Sequence, residues 1–511
     1  MHSRETAWAR LGRPLDVLVI GGGVTGAAVL LEASRRGLDA ALVERGDFAS
    51  GTSSRSSKLV HGGLRYLREG KLRLTRESVH EREALLREAP GLVEPMPFLM
   101  PQYRGKGPNK SLTQLGLALY DALSGQRRRE YLDAAQTLER EPAIASEQLV
   151  GAHVFYDATT DDARLVLRLL NEAEPFGGVS LNYAGVTGLH RDKHGKIAAA
   201  QVRDTIHERE QRVTARAFVN ATGVFADGLR EQLARPRKLR PLRGSHLLLR
   251  HERLPLTHAV AFSHPADGRP VFAYPWMGAT LVGTTDIDHR EDVSSEPSIS
   301  RGEFQYLLDA LAAQFPGVPI DQSDIVSTFA GVRPVIAGGH ADPSRESRDQ
   351  LLLEEDGLIT ITGGKLTTFR PMALAALGAV SKRIGKSVDM KQARIFEDAH
   401  PSASPRLNGR YGAHAADVMD GVRAGDLDTI EGTETTWAEL RYALRAECVV
   451  HLEDLLLRRT RLGLQLAGGG VQVLPRAGEL CAQELGWDEG RRRQEISVYL
   501  ERIRTHYGLP A

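Results

Sequence analysis

A short strand, a glycine-rich turn and a helix follow one another between Asp16 and Arg36, and no other stretch constrains the fold so strongly. Asp16 to Ile20 is mostly apolar, the pattern of a strand buried on both faces. Helix formers run from Val24 to Arg36, and Gly37 stands where a helix end takes a left-handed residue. Asp39 to Val43 reads as a second strand. Gly21, Gly23 and Gly26 between strand and helix spell G-x-G-x-x-G. In that pattern the first glycine permits the tight turn, the second lets backbone approach a pyrophosphate, and the third lets helix pack closely on strand. The helix N-terminus adds unpaired N–H groups and partial positive charge for phosphates. Glu44 ends the second strand, where a carboxylate holds a ribose hydroxyl and disfavours a 2′-phosphate. The unit therefore predicts a dinucleotide, NAD or FAD.

Two later glycine turns favour a resident flavin. Val219-Asn220-Ala221-Thr222-Gly223 closes a strand, and Gly363-Gly364-Lys365-Leu366-Thr367-Thr368 opens a helix. A helix N-terminus under the isoalloxazine stabilises negative charge on the reduced ring.

With 511 residues the chain holds two or three domains. Its formal net charge of +1 gives no support to a nucleic-acid binder. Two cysteines, Cys448 and Cys481, make no disulfide framework, and no Cys/His cluster has zinc spacing. The first residues carry arginines without an apolar core, unlike a secretory signal, and no apolar stretch of spanning length appears. Residues 71–88 read as an amphipathic helix, and Asp161 and Asp162 as the cap of a helix running to about Glu174. The alternating run 244–288 reads as an antiparallel sheet, and the Ser/Pro-rich 401–408 as a linker to a helical tail.

Residues 50–67, SGTSSRSSKLVHGGLRYL, resemble the flavin-contacting loop of FAD-dependent glycerol-3-phosphate dehydrogenases. The likeness continues through Asp161–Leu165, Gly244-Ser245-His246, Gly283–Asp286, Gly331-Val332-Arg333-Pro334 and Gly363–Arg370, and more weakly into Arg458-Arg459-Thr460. The resemblance implies an α/β fold: a glutathione-reductase-like FAD-binding domain, an antiparallel β-sheet substrate domain and a C-terminal helical domain. The expected boundaries are 1–90, 150–240 and 325–390 for the FAD domain, 91–149 and 241–324 for the substrate or cap domain, and 400–511 for the helical domain. It also implies oxidation of sn-glycerol 3-phosphate to dihydroxyacetone phosphate, with electrons passing through FAD to a membrane quinone. The protein so implied is a cytoplasmic homodimer attached peripherally to the inner face of the cell membrane. An oxidase of the same fold, using oxygen or an amino-acid substrate, is the alternative.

A phosphate dianion calls for arginine or lysine. Arg65 and Arg333 lead, Lys365 follows, and Arg348 is the fourth candidate. Proton removal from the alcohol suits histidine, and His61 and His246 lie in the resembling motifs, with the choice of base open. Arg333 and Lys365 can also stabilise a developing alkoxide. Tyr66 and Thr285 are expected at the substrate, and Ser53, Ser54, Lys58, Gly62, Gly63 and Leu64 at the cofactor. In residues 110–129, Leu112, Leu115, Leu119 and Leu123 form a helical stripe followed by three arginines. Such a helix either lies on anionic lipid or faces the core. A second basic run, Arg235 to Arg243, either joins it or is an ordinary exposed loop.

Overall fold

A computed structural model describes residues 1–64, 67, 70–105, 110–125, 129–339, 349–396 and 404–510. Two sheets organise them. In the first, strands Leu358–Gly363, Arg209–Asn220, Leu15–Ile20, Ala40–Val43 and Val179–Leu181 lie side by side in parallel, with Gln350–Glu355 antiparallel at one edge. One face is covered by helices Val24–Ser34, Asp162–Ala173 and Phe369–Ile384, whose apolar residues share a core with Val17, Val19 and Leu42. Strands Ala184–Arg191 and Ile197–Asp204 continue antiparallel from Arg209–Asn220 and cover Leu18, Ile20, Ala41 and Val43 on the other face. Burial on both faces explains the unbroken apolar runs of the parallel strands.

Parallel strands leave their C-terminal ends along one edge, and loops there meet helix N-termini. Gly21–Gly23, Glu44, Thr222–Gly223 and Gly363–Lys365 all stand at that edge. Asp161 caps its helix as expected, its carboxylate accepting from Arg164 N at 3.2 Å.

The second sheet is mostly antiparallel and includes strands Val93–Tyr103, Leu149–Thr160, Leu239–Arg250, Pro270–Trp276, Ala279–Gly283 and Ile325–Ile336. Its membership differs from the expected boundaries. Leu149–Thr160 pairs with Val93–Tyr103, and Ile325–Ile336 pairs along Leu239–Arg250, so both leave the FAD-binding region for this sheet. Strand pairing joins residues far apart in sequence, and boundaries drawn along the chain do not register it.

The C-terminal helices pack directly on the second sheet. Leu440, Leu455, Leu456 and Tyr499 share one core with Leu248, Trp276, Leu281 and Phe329 of the second sheet. Pro405–Tyr411, which begins inside the expected linker, is helical and capped by Ser404.

Candidate active site

A cavity of about 1140 Å³ runs along the strand-end edge, between the two sheets and the C-terminal helices. At one end it is lined by Gly21, Gly23, Glu44, Thr222 and Gly223. Gly21 has φ +111°, and a Cβ there would lie 2.6 Å from Ala221 O. A Cβ on Gly26 would come within 1.9 Å of Gly21 O, so helix and turn meet backbone to backbone. Ser53 Oγ accepts from Val24 N at 3.0 Å, which brings the serine loop to the same helix N-terminus. Glu44 accepts from Gly22 N at 2.6 Å and Gly46 N at 2.9 Å, and burial raises its pKa. Arg45 stacks over the Phe225 ring at 3.8 Å, adding a flat wall beside Glu44. Glycines that admit a pyrophosphate, a helix N-terminus and a carboxylate at the end of the second strand fit a dinucleotide in its adenosine half.

The other end is lined by Ser56, Ser57, His61, Thr284, Arg333 and Gly363 to Thr367. Gly363 (φ +77°) and Gly364 (φ +66°) turn the chain so that Lys365, Leu366 and Thr367 face the cavity at a helix start. Lys365 Nζ reaches Ser78 Oγ at 3.4 Å. Arg333 is held by Asp286 Oδ1 and Thr284 Oγ1, each at 3.0 Å.

Several expected contacts lie elsewhere. Lys58 is fully buried, its Nζ 3.2 Å from Asp162 and 3.0 Å from Ser54 O, away from the cavity lining. Burial lowers its pKa to about 8, against the pull of Asp162. Ser54 is buried and serves the same interior cluster through its carbonyl. Gly62, Gly63 and Leu64 do not line the cavity; Gly62 packs against Tyr120 and Val79 and donates to Asp157 at 3.0 Å. Thr285 is buried, donating to Glu303 at 2.7 Å and accepting from Ser245 N at 2.9 Å. His246 is buried behind the wall, its Nε2 2.9 Å from Ser57 Oγ. Arg65, Tyr66 and Arg348 lie outside the described residues. The basic run splits into ion pairs: Arg235 with Asp356, Arg240 with Asp288, and Arg243 with Glu291 and Glu303.

The tail contributes what sequence reasoning missed. Glu453, Arg502 and His506 line the cavity, as do Asp47 and Glu296. Asp47 is fully buried between Arg458 Nε at 2.5 Å and Arg459 Nη2 at 2.8 Å. Burial alone would raise the Asp47 pKa, but the two arginines hold it far below the usual carboxylate range. Arg461 likewise pairs with Asp161 and Asp162. Glu296 joins Tyr507 OH at 2.9 Å and Arg502 at 3.2 Å, and Arg55 pairs with it from the cofactor loop. Partners hundreds of residues apart leave no local pattern; the Arg458-Arg459-Thr460 likeness was the one trace.

The FAD dependent oxidoreductase family matches residues 16–374, and the C-terminal domain of alpha-glycerophosphate oxidase matches residues 371–492. Fold, cavity and family together define an FAD-dependent oxidoreductase. Aerobic glycerol-3-phosphate dehydrogenases of Staphylococcus haemolyticus and Staphylococcus aureus are 37% and 33% identical, over 87% of this chain and 86% of theirs. The crystal structure of the glycerol-3-phosphate dehydrogenase from Bacillus halodurans complexed with FAD superposes with TM-score 0.80, at 30% identity, covering 98% of each chain. The chain belongs to the aerobic glycerol-3-phosphate dehydrogenase family. A glycine oxidase from Geobacillus kaustophilus, 22% identical with TM-score 0.52, shares the fold alone.

Proposed function

We propose that the protein oxidises sn-glycerol 3-phosphate to dihydroxyacetone phosphate and hands the electrons to a membrane quinone. The observation carrying this reading is that one cavity joins a dinucleotide cradle to an end lined by Arg333, Lys365 and His61. Two cations suit a phosphate dianion, for which an amino-acid carboxylate has less need. The named activity of the staphylococcal relatives points the same way.

When bound, FAD would supply the two-electron acceptor for oxidation at substrate C2. The protein's own residues bind, orient and deprotonate. Arg333 and Lys365 hold the anionic substrate and stabilise charge on its oxygen. His61 lines the cavity and, in this reading, takes the hydroxyl proton. His246 is held well below its ordinary pKa by burial, then by Arg333 and Lys58, and stays neutral.

Peripheral membrane attachment belongs to the same reading. Among the described residues no helix is long and apolar enough to cross a membrane. Helix Lys110–Ser124 instead turns Leu117 and Tyr120 inward and leaves Leu112, Leu115 and Leu119 at 61%, 68% and 43% exposure. An exposed leucine stripe suits an interfacial helix. A homodimer completes the proposal, and sedimentation tests it.

Anaerobic addition of sn-glycerol 3-phosphate should bleach the flavin absorbance at once; an unbleached flavin would overturn the substrate assignment. Turnover with a ubiquinone analogue, compared with oxygen, then separates dehydrogenase from oxidase. The oxidase reading draws on the alpha-glycerophosphate oxidase likeness of the C-terminal region.

A further inference from the structure

Ser57 is the least conspicuous polar residue at the cationic end of the cavity, and it is held from several sides. Its carbonyl accepts from Tyr274 OH. Ser56, before it, donates to Asp162 from backbone N at 3.0 Å and from Oγ at 2.7 Å. Lys58, after it, donates from N to Ser56 Oγ at 2.9 Å. The Ser57 hydroxyl lies 2.9 Å from Nε2 of His246.

His246 has little freedom of its own. It is fully buried, its ring stacks on Phe329 with centroids 4.6 Å apart, and a Cβ on Gly283 would come within 2.2 Å of its Cδ2. Arg333 and Lys58 both act on it electrostatically and oppose a positive imidazole. A neutral imidazole has one N–H, and Nδ1 has no hydrogen-bond partner among the described residues. A proton on Nδ1 would be a buried orphan donor, a rarer and costlier arrangement than a bare lone pair. That cost favours the tautomer with the proton on Nε2, in which His246 donates to Ser57 Oγ. Ser57 then keeps its own hydroxyl proton for a cavity ligand.

We infer that Ser57 donates a hydrogen bond to the reacting oxygen of the substrate, and that His246 is the positioning residue that sets this polarity. The inference rests on the phosphorylated-alcohol reading above. As C2 loses its hydride and the hydroxyl its proton, negative charge grows on that oxygen before the carbonyl forms. A donor fixed in advance stabilises this charge more than it does the ground-state alcohol. Serine adds no charge, so it complements Arg333 and Lys365 without increasing the repulsion between them. The proton lost by the substrate goes to His61, since the hydroxyl of Ser57 is already a donor, and the hydride goes to the flavin.

The test uses holoenzyme and two ligands read by perturbation of the flavin spectrum: 2-phosphoglycolate, with anionic oxygen near the reacting position, and n-propyl phosphate, with none. Ser57→Ala should retain FAD, weaken 2-phosphoglycolate at least about tenfold, and leave n-propyl phosphate within about twofold. It should also lower kcat more than it raises KM. Ser57→Thr, which keeps a hydroxyl, should recover most of the loss. His246→Gln, whose amide N–H can still donate to Ser57, should fall less than His246→Leu. Equal 2-phosphoglycolate affinity in wild type and Ser57→Ala would overturn the inference with the substrate reading intact. A wild-type protein that bound neither phosphoester would overturn both. Loss of both ligands together in Ser57→Ala would assign Ser57 to the phosphate instead and also refute the inference.

Discussion

The two ends of the cavity are built by different means. The cradle at Gly21–Gly26 is made of backbone from one contiguous strand–turn–helix, and its selectivity lies in what is missing from the glycines. The cationic end is made of side chains brought from the Ser57–His61 loop, the strand carrying Arg333 and the turn carrying Lys365. A backbone site tolerates no added atom, whereas a side-chain site tolerates changes of shape but not of charge. The two ends should therefore fail differently when altered.

The largest effect is expected at the cradle. Gly26→Val places its side chain against Gly21 O, where even a Cβ would be only 1.9 Å away, and should yield protein without bound FAD. A normal flavin spectrum in the purified variant would break the contrast. Arg333→Ala should keep FAD yet raise KM for sn-glycerol 3-phosphate about a hundredfold or more, as expected for losing a charge-assisted contact of roughly 3 kcal/mol. Steady-state kinetics on flavin-replete enzyme check this; an unchanged KM would remove Arg333 from the substrate end.

The joint between the cavity and the C-terminal tail is tested at Asp47. Asp47→Asn removes the carboxylate shared by buried Arg458 and Arg459 and should cost about 3–5 kcal/mol of stability, read from denaturant unfolding. The folded carboxyl holds its proton less tightly than the unfolded one. Its contribution is thus full above about pH 4 and drains away as pH falls through the depressed folded value. Wild type should lose stability over that acidic range more steeply than Asp47→Asn. The smallest effect on chemistry belongs to the outer surface. Leu115→Gln should leave turnover with a soluble acceptor within about twofold while reducing co-sedimentation with anionic vesicles. Undiminished sedimentation would exclude helix Lys110–Ser124 as the membrane contact.

How much of this was legible beforehand follows the same division. The cradle could be read residue by residue, because G-x-G-x-x-G and the acid at Glu44 act at short range along the chain. Lys58 could not: a lysine in a serine-rich loop reads as a cofactor contact, yet here Asp162 makes full burial tolerable at a lowered pKa of about 8. Ser57 escaped notice for the opposite reason. A serine in a serine-rich loop is unremarkable until folding sets it against a buried histidine from a strand far along the chain.

By itself the sequence determined a dinucleotide cradle, the residue types needed for an anionic substrate and the order of the elements that carry them. These depend on local backbone geometry and charge, which neighbouring residues set. Only the tertiary structure decided that His246 stands behind Ser57, that the tail walls the cavity, and that Asp47 joins it to Arg458 and Arg459. Such arrangements depend on which segments the sheets bring together, and in the low-dielectric interior a neighbour's charge outweighs anything the adjacent sequence prescribes.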